Sequence, residues 1–205
     1  MTEQQNIAAQ AAQPMTLPPA GTQQEKKTIN VLKAEFATRI SDPWTRMNPI
    51  MLGQVPQIQP DQPVPAPNLY VTVAAGPIPV MIAGLYADPK NVYGFEEARI
   101  WNGHLAIGFG RFAYMVSLKT RLTAEYDLES DFCQFFPLQG FLLIASMKGL
   151  GMISDTGEVL WDRNDLAEQG VLVTRVADQA IGGRCQFKDG WKDIRLDVFT
   201  GKAID

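Results

Sequence analysis

From residue 69 onward the chain alternates apolar runs of strand length with short polar breaks. Residues 69–74 (LYVTVA) and 80–85 (VMIAGL) flank Gly76, Pro77 and Pro79, which predicts two strands meeting at a turn. Three longer segments, residues 100–128, 135–163 and 176–205, can be laid over one another. Each begins as a strand, breaks at a polar turn (Asn102 and Gly103; Gln139 and Gly140; Asp178 and Gln179), and resumes as a second strand at residues 105–109, 141–146 or 180–185. Another turn leads to a third strand, which ends in a corner holding Thr120, Thr156 with Gly157, or Thr200 with Gly201. The corner threonines recur after 36 and then 44 positions, counted from 120 to 156 to 200, the size of one small antiparallel unit. An Asp or Ser before such a corner can bond backbone amides ahead of it, and Gly accepts the positive φ that a bulged hairpin demands. The fold class expected is mainly β, an antiparallel meander of repeated units over residues 68–205.

The first third of the chain has a different pattern. Residues 1–21 are rich in Gln, Ala and Pro and read as a flexible tail. Thr22 followed by Glu25 has the form of a capping box. Ile29, Leu32, Phe36 and Ile40 then recur at three- and four-residue steps, with Lys26, Lys27, Lys33 and Glu35 elsewhere, so an amphipathic helix is expected over residues 22–42, stopped by Asp42 and Pro43. Its stripe would pack on the β domain or dock on another chain. Pro43, Pro49, Pro56, Pro60, Pro63, Pro65 and Pro67 then forbid helix or central strand and predict an extended strap over residues 43–67. Trp44, Met47, Ile50, Met51 and Leu52 at its start predict that it lies on the globular part, since apolar side chains need cover.

Composition narrows the partners. Of the 205 residues 46% are apolar and 20% charged, as in a soluble globular protein. With 18 basic against 22 acidic side chains, a net charge of -4 and no basic run, nucleic acid is not the expected ligand, and a charged partner should be basic. Cys133 and Cys185 read as buried thiols in a reducing compartment. The beginning of the chain has neither a basic region nor an apolar core of a secretory leader, which makes the cytoplasm the expected location. Residues 69–87 carry no charge and are long enough for a membrane helix, but Gly76, Pro77 and Pro79 at the centre favour two strands.

Residues 153–161 (ISDTGEVLW) and 196–204 (LDVFTGKAI) resemble the blade-ending motif of quinoprotein-type β-propellers, in which a strand runs into Asp, a Thr-Gly corner and an apolar strand ending in Trp. The resemblance covers about half the chain and implies blade-like repeats. It departs from the family where the second unit is a residue short at its corner and where the third ends at Asp205 in place of Trp, leaving Trp161 as the docking aromatic. No quinone cofactor is expected, because a full ring of blades and a polar funnel would be needed to hold it. Thr156, Gly157, Trp161, Asp165, Gly170, Val171 and Trp191 also resemble the pattern of small bacterial proteins that include immunity partners of secreted toxins.

Catalytic patterns fail one by one. His104 is the only histidine and follows a hairpin turn, where such a residue is ordinarily solvated. Neither cysteine lies in a sequence context that lowers a thiol pKa. Asp127, Glu129 and Asp131 alternate as calcium ligands do, but Phe132 and Leu138 stand where an EF-hand needs Gly and Glu. Gly108 and Gly110 precede no helix that would bind phosphate, and a bulge or close packing accounts for them. No catalytic, metal or cofactor site is expected.

What remains is surface. Glu125, Asp127, Glu129 and Asp131 cluster at one connection between units, and Asp155, Glu158, Asp162, Asp165 and Glu168 at the next. Such groups are either simply solvated or form one acidic rim, with Trp161 and Trp191 as aromatic anchors for a basic protein. The first expectation is a bacterial immunity protein that binds and neutralises a toxin. A structural subunit of a virion or similar assembly, laced into homo-oligomers by its N-terminal arm, is the alternative, and an unrecognised enzyme comes third.

Overall fold

A computed structural model describes residues 31–57, 61–63, 65–87 and 94–204, which form four sheets stacked in sequence order. The first contains β1 (Leu32–Ala37), β2 (Ile50–Gly53), β3 (Leu69–Ala75) and β4 (Ile78–Tyr86), in the order β1-β3-β4-β2, with β2 parallel to β4 and the other pairs antiparallel. The second is a meander of β5 (Glu97–Trp101), β6 (His104–Phe109), β7 (Phe112–Ser117) and β8 (Thr123–Asp127). The third repeats it with β9 (Phe132–Pro137), β10 (Phe141–Ser146), β11 (Leu150–Ser154) and β12 (Val159–Arg163). The fourth has β13 (Gly170–Ala177), β14 (Ala180–Phe187) and β15 (Gly190–Asp197), plus one bridge from Leu196 to Ala203. The molecule is thus mainly β, with four-stranded sheets like those of a partial propeller.

The repeat read in the sequence is written in the hydrogen bonds. Ser117 N–H donates to Leu122 O and Arg121 N–H to Ser117 O, both at 2.9 Å, and the fourth sheet copies this with Asp197 to Lys202 (2.8 Å) and Gly201 to Asp197 (2.9 Å). The third sheet closes the same corner one residue sooner, from Ser154 to Glu158 (2.9 Å) and Gly157 to Ser154 (3.0 Å). The left-handed position falls on Arg121, Gly157 and Gly201, with φ of 65°, 86° and 65°. The residue after each third strand also ties back to the first turn, Leu118 to Gly103, Asp155 to Gly140 and Val198 to Gln179.

Alternation places the core between sheets. Leu105, Ile107, Tyr114 and Val116 of the second sheet join Val71, Val73, Met81, Ala83 and Leu85 of the first. On its other face Ala106, Ala113 and Met115 join Phe132, Phe135, Leu142, Ile144 and Ile153. Leu143, Ala145, Leu150 and Met152, on the opposite face of the third sheet, join Val171, Ile181, Cys185 and Leu196 of the fourth. Strands buried on both faces therefore read as continuous apolar runs. The Phe132 ring lies where a Cβ on Gly108 would stand, 2.3 Å away, so close packing explains that glycine.

Two expectations are corrected here. Residues 32–37 are an edge strand and among the described residues there is no α-helix, so the amphipathic helix over residues 22–42 does not form there; residues 1–30, including the tail at 1–21 and the capping box, lie outside the described residues. Leu32, Ala34 and Phe36 also satisfy a period of two, and pairing from Leu32↔Ala75 to Ala37↔Tyr70 gives their backbone a full ladder while Lys33 and Glu35 stay outside. The described residues of the strap over residues 43–67 lie on the fold and include a 3-10 turn, Trp44–Arg46, and the strand β2. Pro67 and the Met51 sulfur stand over Gly84, and the Tyr86 hydroxyl donates to Pro65 O at 2.9 Å, so the strap covers the outer face of the first sheet. Residues 69–86 form β3 and β4, and no helix among the described residues is long and apolar enough to cross a membrane.

Candidate functional site

The upper end of the stack is where the linkers that follow the second and third sheets meet the hairpins joining a second strand to a third. Leu128 and Phe132 donate to Arg111 O and Gly110 O, Met147 to Asp131 O, Leu166 and Ala167 to Lys148 O, and Glu168 and Gln169 to Gln186 O. Three of the acidic residues expected to form a rim, Asp127, Asp165 and Glu168, are employed in this stitching. Arg111 Nε donates to Asp127 at 2.9 Å, and Asp127 also accepts the Glu129 amide at 2.9 Å, so the guanidinium holds its carboxyl below the usual carboxylate range. Arg163 grips Asp165 through two bonds of 2.6 and 3.0 Å and lowers it likewise, while Glu168 accepts the Lys188 amide at 3.1 Å. Asp162 is pushed the other way, chiefly by desolvation and further by the negative charge of Glu129. Glu129 and Asp162 are thus brought together, Asp131 contributes its backbone, and Glu125 points to solvent from the middle of β8.

Asp155 and Glu158 belong to the opposite, lower end, with the first turns and the corners, so the expected acidic cluster is split between the two ends of the stack. Trp161 is structural. Its indole Nε1 donates to Val198 O at 2.9 Å, its ring lies 2.6 Å from where a Gly201 Cβ would be, and Arg163 donates to Gly201 O at 3.1 Å. Tyr126 latches the preceding junction in the same way, its hydroxyl donating to Gly157 O at 2.6 Å. Tyr126 was missed in the sequence because a Tyr at the end of a short strand carries no pattern of its own. Trp191 stands elsewhere, 42% exposed on the outer face of the fourth sheet with Arg184 over its ring, and does not join the acidic residues.

Between the third and fourth sheets the lower end opens into a cleft of about 510 Å3. Leu138, Phe141, Leu160, Val176, Val198 and Phe199 give it apolar walls, and Gln139 and the turn Asp178 and Gln179 its polar edge. Phe141 and Phe199 meet edge to face with centroids 6.1 Å apart, yet Phe199 stays 52% exposed and Leu160 44%. Asp155 is tied by its amide to Gly140, next to the lining residue Gln139, and Glu158 lies two positions before Leu160. Neither carboxylate has a hydrogen-bond or ion-pair partner among the described residues, whereas Asp178 is bound to Arg175 at 2.8 Å. One sequence signal could have found this cleft: Phe199 occupies the corner position that Lys119 fills in the second sheet, an aromatic where a polar residue would serve the turn equally well.

The reactive residue types are dispersed. His104 Nδ1 lies 3.0 Å from Asn102 O, and its ring lines a smaller cleft between the second and third sheets with Ser117, Thr120 and Thr156. Burial pushes the thiols of Cys133 and Cys185 up to about 11, Cys133 also under the charge of Asp131, which is the reverse of what a nucleophile needs. Among the described residues no group of His, Cys, Asp and Glu is arranged to hold a metal ion.

No family model matches the chain, and no curated protein matches it. Among solved structures it is similar to BamB from Moraxella catarrhalis, with 13% identity and a TM-score of 0.44 over 66% of this chain. The match spans 42% of that protein's length. The sheets themselves carry the blade plan read in the sequence, strand for strand, in the second and third units.

Proposed function

We propose that this chain is a non-enzymatic protein-binding module of the immunity type, which neutralises a toxin in the bacterial cytoplasm by holding it at the lower cleft. The observation that carries this reading is the cleft wall of exposed Phe199 and Leu160, with the unpaired carboxylates Asp155 and Glu158 on the adjoining corner of the third sheet. Apolar walls supply affinity once desolvated, and the free negative charge speeds encounter with a basic partner. The net charge of -4 favours the same kind of partner. The assembly reading draws less support, since the strap that was to lace protomers is occupied on its own first sheet. Co-expression with the product of the adjacent gene tests the proposal: a stable complex that relieves that product's toxicity is expected, and Phe199→Asp should abolish both. A harmless neighbour that does not bind would refute it.

A further inference from the structure

A partner seated in the lower cleft must also run past the outer edge of the third sheet. There β12 pairs with β11 alone, from Leu150↔Arg163 to Ile153↔Val159. On its other side alternate N–H and C=O groups face away from the sheet, as at any edge. Proteins guard such edges with charge. β8, which holds the same place in the second sheet, is guarded in this way by exposed Glu125 and Asp127. β12 carries its charges, Asp162 and Arg163, only at its far end and begins with Val159 and Leu160, 55% and 44% exposed; Leu160 stands at the register shift of this edge and is also a wall of the cleft. The other outer edges are less inviting: β2 has four residues, and β15 is bridged through Leu196 to Ala203.

We propose that β12 accepts an added strand. An extended segment of the partner protein would hydrogen-bond along Val159–Arg163, place a bulky apolar side chain between Leu160 and Phe199, and set a Lys or Arg against Asp155 and Glu158. This rests on the cleft being the binding site. Main-chain bonds supply affinity in this mode and the alternate side chains supply specificity. The occupant follows from complementarity: the edge offers backbone donors and acceptors, the cleft offers apolar carbon, and the adjoining corner carries two unpaired carboxylates.

The probe is an acetylated, fluorescently labelled octapeptide alternating phenylalanine with lysine, titrated into the full chain, beside two versions N-methylated at alternate amides along one edge or the other. Methylation leaves every side chain in place and blocks pairing on one edge only. The parent peptide should bind, one methylated version should bind about tenfold or more weakly, and amides of residues 159–163 should exchange more slowly in the complex. If all three peptides bind alike but Phe199→Asp and Leu160→Lys abolish binding, strand addition is wrong and the cleft reading stands. Binding that ignores both substitutions overturns the cleft reading, and failure of the parent peptide to bind overturns strand addition. Circular dichroism of both variants establishes that they remain folded.

Discussion

Tyr114 buries its ring between the first and second sheets, and its hydroxyl has no partner among the described residues. An unmade bond in such a place is a cost, so Tyr114→Phe should leave the stability unchanged or raise it by about 1 kcal/mol, read from urea denaturation. The two thiols offer a second measurement. With values near 11, Cys133 and Cys185 stay protonated at pH 8, so a thiol reagent should modify buried Cys185 no faster than the chain opens and part-exposed Cys133 far more slowly than a free thiol. Because both folded values lie above the ordinary thiol value of 9.0, their contribution to stability is complete below that value and is lost as the pH climbs from it toward 11. The role of single side chains was the least legible part of the sequence. Trp161 and Trp191 look alike there as anchors, but one is spent on Val198 and Gly201 and the other faces away from the cleft, a difference made by which sheet face each occupies.

Strands and their junctions were far more readable, because turn chemistry and period-two alternation act locally. The turns at Asn102, Gln139 and Asp178 and all three corners stand where the repeat placed them, including the corner at Thr156 that is one residue short. β1 was misread since a spacing of four between Leu32 and Phe36 fits a helix and a strand equally; only the unfilled edge of β3, a distant neighbour in the chain, decides between them. The aromatic latches can be tested singly. Tyr126→Phe removes one hydrogen bond across its junction and should cost about 1 kcal/mol, whereas Trp161→Phe removes a bond and part of the ring packed on Gly201 and should cost more, with additive effects because the two junctions share no side chain. At the upper end, Asp127 is held low by Arg111, so that pair stabilises the fold in full above the ordinary carboxylate range and loses this contribution as the pH falls below that range through the lowered folded value. Arg111→Met should accordingly destabilise the protein more at pH 7 than in acid, a contrast visible in urea midpoints.

Each of the three buried clusters joins one sheet to the next, and the ends of the stack are treated differently. The strap covers the first sheet, whereas the fourth presents Arg184, Asp193 and Trp191 to solvent. Ending the chain at residue 168 would strip the cover from Leu143, Leu150 and Met152, and the shortened protein should aggregate or bind a hydrophobic dye strongly where the full chain does not. Ending it inside a sheet should be worse, since an unpaired central strand is then exposed as well. Because every unit depends on its immediate neighbours alone, the lineage of such a chain can lengthen or shorten by one complete repeat and keep each surviving junction intact. Duplication of a gene segment about 40 codons long would then hand evolution a second copy of the groove, free to diverge while the first is kept.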